Sequence, residues 1–266
     1  MIELPERIRE PQRETVEWLR HRCADDPAIE ALVVIGSTAR GQAQARSDVD
    51  CAFVLRPDDR KQWLRRGEFG MKGDASEGRV PFEGQFTDID VLRATAERGP
   101  EPARFAFTDA VIAFSRIPEL ASVLERIPIY QETERAEKMK SFVSQLPVHL
   151  SYLEHAEYAK KEWLLAQTAV ELVLFGGRLI LAENRILFPN RKQFMAALER
   201  APRKPEGFLE LARDLSAHPS IALARRFHDS VMSFAEWPVP QEGYWGRFIR
   251  DRETNWRSGP PALADS

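Results

Sequence analysis

The 266 residues suffice for one large domain or two modest ones, and two suits the patterning below better. With 43% hydrophobic and 30% charged residues the composition is that of an ordinary globular chain, neither disordered nor fibrous. A formal net charge of −3 argues against a protein that coats nucleic acid through a strongly positive surface.

The N-terminal MIELPERIREPQRE has no apolar stretch to serve as a signal peptide, and no later segment reads as a run of roughly 18 apolar residues that would span a membrane. Cys23 and Cys51 have neither C-x-x-C spacing nor flanking His pairs, so they read as buried free thiols in a reducing compartment. The cytoplasm is the expected location.

Residues 15–22, with Val16 and Leu19 among charges, fit a short amphipathic helix. The β-branched run 31–35 reads as a buried strand stopping at Gly36, and 49–55 as a second strand followed by a helix over 59–66. Residues 67–84 hold five of the 14 glycines without an apolar period and read as a mobile loop. That loop contains neither G-x-x-x-x-G-K-[ST] nor G-x-G-x-x-G, so P-loop and Rossmann readings have no support. Further strands are expected at 86–92 and 110–114, and a helix at 118–126.

From about residue 132 to Trp237 the strand signals disappear, which places a boundary between a catalytic domain, 1–131, and a helical domain, 132–266. Apolar or small residues at 153, 156, 159, 163, 166, 170, 173, 177 and 180 alternate in steps of three and four, the period of one long amphipathic helix. Gly176 and Gly177 within it suggest a close helix contact or a break. More helices are expected at 192–200, 208–215 and 221–236, with prolines between them. Trp237, Trp245 and Trp256 read as anchors of an irregular tail, a hydrophobic dimer contact being the alternative, and 258–266 as disordered.

The stretch Gly36-Ser-Thr-Ala-Arg-Gly41, followed by Ser47-Asp-Val-Asp50, carries the chemistry. Asp48 and Asp50, two apart at the start of a strand, project from one face. Two carboxylates so close repel unless a cation joins them, and Mg²⁺ favours such oxygens together with phosphate oxygens and water. Gly36 permits close approach of a ligand at the strand end, the amides after it can face phosphate, Arg40 can add positive charge, and Gly41 suits a helix C-cap.

These residues resemble the signature of the DNA polymerase β-like nucleotidyltransferase superfamily, G-S-x-A-R-G followed by S-D-x-D. The resemblance implies an α/β (α+β) nucleotidyltransferase domain with a mixed β-sheet, here followed by an all-α helical bundle. It also implies a two-metal Mg²⁺ site, ATP or another NTP as substrate, and attack of a hydroxyl on the α-phosphorus with pyrophosphate leaving. Gly36, Ser37, Arg40 and Ser47 would bind nucleotide.

A third carboxylate is expected on a neighbouring strand. Within Thr87-Asp-Ile-Asp-Val-Leu92 the choice is Asp90, which is flanked by apolar residues, with Asp88 as fallback. Glu171, in an apolar setting that would raise its pKa, is the candidate general base, in the manner of the antibiotic nucleotidyltransferases that the two-domain layout resembles. Residues 184–192 resemble an N-R-x-x-F-P-x-x-K segment of helical domains attached to some such enzymes, with Lys192 reaching phosphate; a cap and turn is the alternative. Arg213 and His218 formally fit the R-x4-H pattern of HEPN ribonucleases, and Pro219 directly after argues that the match is coincidence.

The expected acceptor is a hydroxyl-bearing small molecule, as for aminoglycoside- or lincosamide-modifying enzymes. A protein AMP-transferase of the toxin-antitoxin kind and a catalytically inactive nucleotide-binding regulator are the alternatives. A homodimer burying the helical face is a further expectation.

Overall fold

A computed structural model describes residues 3–74, 79–257 and 259. The chain forms two compact units, residues 1–129 and 130–266.

In the first unit helix α1 (Gln12–Asp25) precedes strand β1 (Ile29–Val34). A single helical turn, α2 (Gly36–Ala39), leads to β2 (Val49–Leu55) and α3 (Pro57–Arg65). Then come β3 (Gly70–Gly73), β4 (Phe82–Thr87), α4 (Ile89–Arg98), α5 (Glu101–Ala106), β5 (Val111–Ser115) and α6 (Leu120–Arg126). The strands make one mixed sheet in the order β3-β4-β2-β1-β5, with β2 and β4 parallel and the other pairs antiparallel.

Both faces of β1 and β2 are buried because their residues are apolar at nearly every position. Val49, Cys51, Phe53 and Leu55 join Val16, Leu19 and Cys23 of α1 in one core. Ala52, Val54, Ala31 and Val33 join Leu92 of α4 with Leu120, Val123 and Leu124 of α6 in another. The sheet is thus the middle of three layers.

Two expectations fail in this unit. The glycine-rich stretch read as a loop contains β3 and the start of β4; its residues 75–78 lie outside the described chain. The strand expected at 86–92 ends at Thr87, because the Asp88 carboxylate accepts the Val91 N–H at 2.8 Å and caps α4. An N-cap bond of this kind satisfies an amide that has no partner within its helix, so Asp88 begins a helix where alternation suggested a strand.

The second unit is helical: α7 (Glu132–Tyr158), α8 (Glu162–Glu183), a 3₁₀ turn (Arg191–Gln193), α9 (Phe194–Arg200), α10 (Phe208–Ala217), α11 (Ile221–Met232) and α12 (Gly243–Phe248). A π-helical turn (Ile249–Glu253) and a 3₁₀ turn (Asn255–Arg257) close it. The one long helix expected across residues 153–181 is two helices. Lys160 has φ +51°, the Lys161 N–H donates to Ala156 O at 2.8 Å, and the Lys160 N–H donates to Glu157 O at 3.2 Å. That is a Schellman ending with lysine in the left-handed position, where sequence reasoning looks for glycine.

Gly176 and Gly177 do not break α8. A Cβ at Gly176 would stand 2.6 Å from the Phe227 ring, and one at Gly177 would overlap Phe194, so both glycines serve close helix packing. By length and composition α8 is apolar enough to cross a membrane, contrary to the sequence expectation. Half of its most apolar stretch is buried, and Ala169, Leu172, Leu179 and Ile180 belong to the core of the helical unit. Trp237 is anchored through Nε1 to Val231 O at 2.9 Å, whereas Trp245 and Trp256 are exposed. Of the tail after Arg257 only Gly259 lies within the described residues.

Candidate active site

The site is built where β1 ends and β2 and β4 begin. Ile35 N donates to Asp50 O at 2.9 Å, which sets the end of β1 beside the first residues of β2. Gly36 then turns with φ +69°, and a Cβ placed there would overlap Asp50 Oδ2 and stand 3.1 Å from the Asp50 Cβ. Glycine is required twice over, by the left-handed backbone and by the carboxylate packed against it.

The next turn, α2, closes in a second Schellman arrangement: Gln42 N donates to Ser37 O at 2.9 Å and Gly41 N to Thr38 O at 3.1 Å, with Gly41 at φ +69°. The opening amides of such a turn have no partner within it, so those of Gly36, Ser37 and Thr38 stand where an anion can be met. Buried Thr38 donates its hydroxyl to Asp48 O at 3.3 Å, tying this turn to the residue that leads into β2.

Asp48 is exposed and Asp50 half-buried, on the rim of the face that carries Ala52 and Val54. Ser47 is engaged locally, its hydroxyl accepting the Gln44 N–H at 2.9 Å. The Arg40 guanidinium lies over the Phe105 ring, 4.9 Å from its centroid, and its Nε donates to Gln42 Oε1 at 3.4 Å. Its charge is therefore held beside α2 at a fixed place.

Asp90, the expected third acid, is not on a strand. It lies in the first turn of α4 with its side chain 67% exposed and paired with Arg93 at 3.0 Å. Its strand-based pairing with Asp48 and Asp50 fails because the chain has already turned into helix at Asp88. The fallback, Asp88, is 5% exposed and committed to its cap and to Arg60 at 3.4 Å.

The sheet register instead brings Glu83 directly beside Asp50 in the parallel β2–β4 pair. Neighbours in register share a face of the sheet, so Glu83 is an exposed acid on the Asp50 face. Sequence reading missed it because 82–84 fell in the presumed loop; the faint signal is the apolar alternation of Phe82, Gly84 and Phe86 around it. Across the antiparallel pair Glu83 is matched by Lys72 of β3. A cavity of about 480 Å³ adjoins this row and is lined by Arg60, Phe69, Lys72, Glu83 and Gln85 among others.

The donor set fits a hard cation. Among the described residues no group of three or more His, Cys, Asp or Glu side chains is placed to hold a metal ion. Mg²⁺ does not need one, since it takes one or two carboxylates and completes its shell with water and substrate phosphates. Asp48 and Asp50 offer two such carboxylates, the second of them packed against Gly36.

The two candidates in the helical unit have different surroundings. Glu171 is not a carboxylate raised by an apolar setting. Burial pushes its pKa up, but the His149 ring at 3.3 Å and the Arg252 guanidinium in direct contact outweigh this and hold it below the ordinary range. A carboxylate stabilised in its charged form is a weak proton acceptor, so the physical ground for a general base is removed. Lys192 is exposed in the 3₁₀ turn at 191–193, which Asn190 caps through Gln193 N at 3.0 Å. Arg213 is paired with Glu199, and His218 ends α10, so the R-x4-H match forms no joint site by these contacts.

The family model described as "Nucleotidyltransferase domain" matches residues 16–175, more than half of the chain. Comparison with curated proteins gives no match. Among solved structures, a nucleotidyltransferase-like protein from Exiguobacterium sibiricum 255-15 is similar, with a TM-score of 0.47 and 13% identity over 82% of this chain and 71% of that one. With the Gly36 bend, the acids of β2 and the mixed sheet in place, the chain belongs to the nucleotidyltransferase-domain family and is a transferase of nucleoside monophosphates.

Proposed function

We propose that this protein transfers the nucleoside monophosphate of an NTP, with ATP as the expected donor, to a hydroxyl of a small molecule and releases pyrophosphate. The observation that carries the reading is the Asp50 carboxylate packed against Gly36, with Asp48 two residues before it and Glu83 beside it in register.

In this reading the α2 amides and Arg40 would hold the triphosphate on the β1 side of Asp50, while the pair Asp48 and Asp50 would hold Mg²⁺, with Glu83 in register on the adjacent strand. The cation, when bound, neutralises charge on the transferring phosphoryl group and lowers the pKa of the acceptor hydroxyl. An in-line displacement needs the acceptor on the side opposite pyrophosphate, which is the β4–β3 side. The open groove beside Glu83 is the candidate place for a small-molecule acceptor. The acceptor oxygen forms its bond to the α-phosphorus, the bond from that phosphorus to the bridging oxygen of pyrophosphate breaks, and the hydroxyl proton passes to solvent.

Cys23 and Cys51 are buried free thiols, and burial with the nearby Asp26 charge pushes Cys23 up to about 12, so that thiol stays protonated and takes no part in the transfer. The test uses NTP labelled at the α-phosphate, Mg²⁺ and an aminoglycoside and lincosamide panel beside a protein lysate. Label is expected on a small molecule and not on protein. Asp50→Asn should abolish it, and an equally active Asp50→Asn variant would remove the site.

A further inference from the structure

Two buried polar side chains of α1 take no part in the chemistry above. Gln12, 3% exposed, donates through Nε2 to the carbonyls of both Gln44 and Ser47, each at 2.8 Å. Thr15, 1% exposed and one helical turn on, uses its hydroxyl to donate to Val80 O and accept from Val80 N, both at 3.1 Å. Residues three apart share a helix face, so one face of α1 grips two separate segments.

Those segments are the lead-ins to the two acid-bearing strands. Ser47 precedes Asp48 directly, Val80 stands three residues before Glu83, and the pair is joined where Val49 N donates to Pro81 O at 2.9 Å. A buried side-chain amide or hydroxyl is costly unless its partners are fixed, so α1 holds these loops at set positions more firmly than apolar packing alone would. An oxygen-ligated cation shared across two strands is sensitive to such placement, because the groups that orient ligands set much of the affinity.

We propose that Gln12 and Thr15 are positioning residues that fix the spacing between Asp48 and Asp50 on one strand and Glu83 on the next, so that α1 governs cation affinity without touching the cation. The inference rests on the reading of those acids as the cation site.

The test is Mn²⁺ binding followed by electron paramagnetic resonance in the presence of a non-hydrolysable ATP analogue, far below the melting temperature. Gln12→Leu and Thr15→Val should each weaken Mn²⁺ binding about tenfold or more, and Thr15→Ser, which keeps the hydroxyl, should restore it. Leu19→Ala, which opens a cavity in the same helix–sheet core, should lower the melting temperature yet leave Mn²⁺ affinity unchanged. Wild-type affinity in Thr15→Val, or equal weakening in Leu19→Ala, overturns the proposal. Should Gln12→Leu not fold, the Thr15→Val and Thr15→Ser pair decides. Asp50→Asn serves as the separate control: if it binds Mn²⁺ like wild type, the acid site itself is wrong, whereas loss there with full binding in Thr15→Val sinks only the role of α1.

Discussion

Gly36 and Asp50 form a matched pair in which each explains the other. A left-handed backbone costs an ordinary L-residue roughly 1–2 kcal/mol, and the Asp50 carboxylate occupies the space where a side chain at residue 36 would stand. The bend brings the backbone of residues 36–38 beside an acid, the juxtaposition on which the proposed cation and triphosphate site rests. The third acid separates two claims about the same sheet. Glu83→Gln should lower transfer about a hundredfold or more, as loss of a charge complementary to the transition state does. Asp90→Asn, which disturbs only an exposed pair with Arg93, should stay within about twofold of wild type and change stability by less than about 0.5 kcal/mol. Steady-state rates of the two variants at saturating Mg²⁺ check this, and a reversal of the order would return the role to Asp90.

At the scale of elements, the stretch 36–50 was legible because its constraints are local: the bend, the glycine that ends the next turn and the i, i+2 acids all lie within fifteen consecutive residues. Glu83 was not legible, since its role depends on the register of β4 against β2, which no local pattern specifies. Asp88 and Asp90 misled for a related reason, as a two-residue alternation of acids fits a strand or the first turn of a capped helix equally well. The α7–α8 hairpin was hidden because the left-handed residue that ends α7 is lysine. Lys160→Gly removes the backbone strain at φ +51° at some cost in unfolded-chain entropy. The net expectation is about 0.5–1 kcal/mol of added stability, visible as a higher midpoint in urea with unchanged slope; no gain would mean that the turn is not under strain.

At the scale of the whole molecule, the family match runs from α1 through β5 and on to Phe175 in α8, so it takes in part of both compact units. The helical unit carries its own charge-linked stability. Glu171 has a depressed pKa in the folded chain, so its contribution is fully present above the ordinary glutamate value of about 4.3 and is lost as pH falls through the lower folded value. Melting should therefore fall as pH drops below about 4.3, and Glu171→Gln should flatten part of that fall while costing about 1 kcal/mol at neutral pH. Calorimetry across that range checks the sign, and a variant whose stability rises with acid would reverse it. The proposed site is a cation-bridged triphosphate gripped by acids on adjacent strands beside the Gly36 bend. Its most direct test is a crystal grown with Mn²⁺ and a non-hydrolysable NTP analogue, with the metal located by anomalous scattering. A peak is expected at about 2.1 Å from carboxylate oxygens of Asp48 and Asp50, with phosphates against the Ser37 amide. A peak away from both aspartates, or a nucleotide bound without contact to the bend, would contradict it.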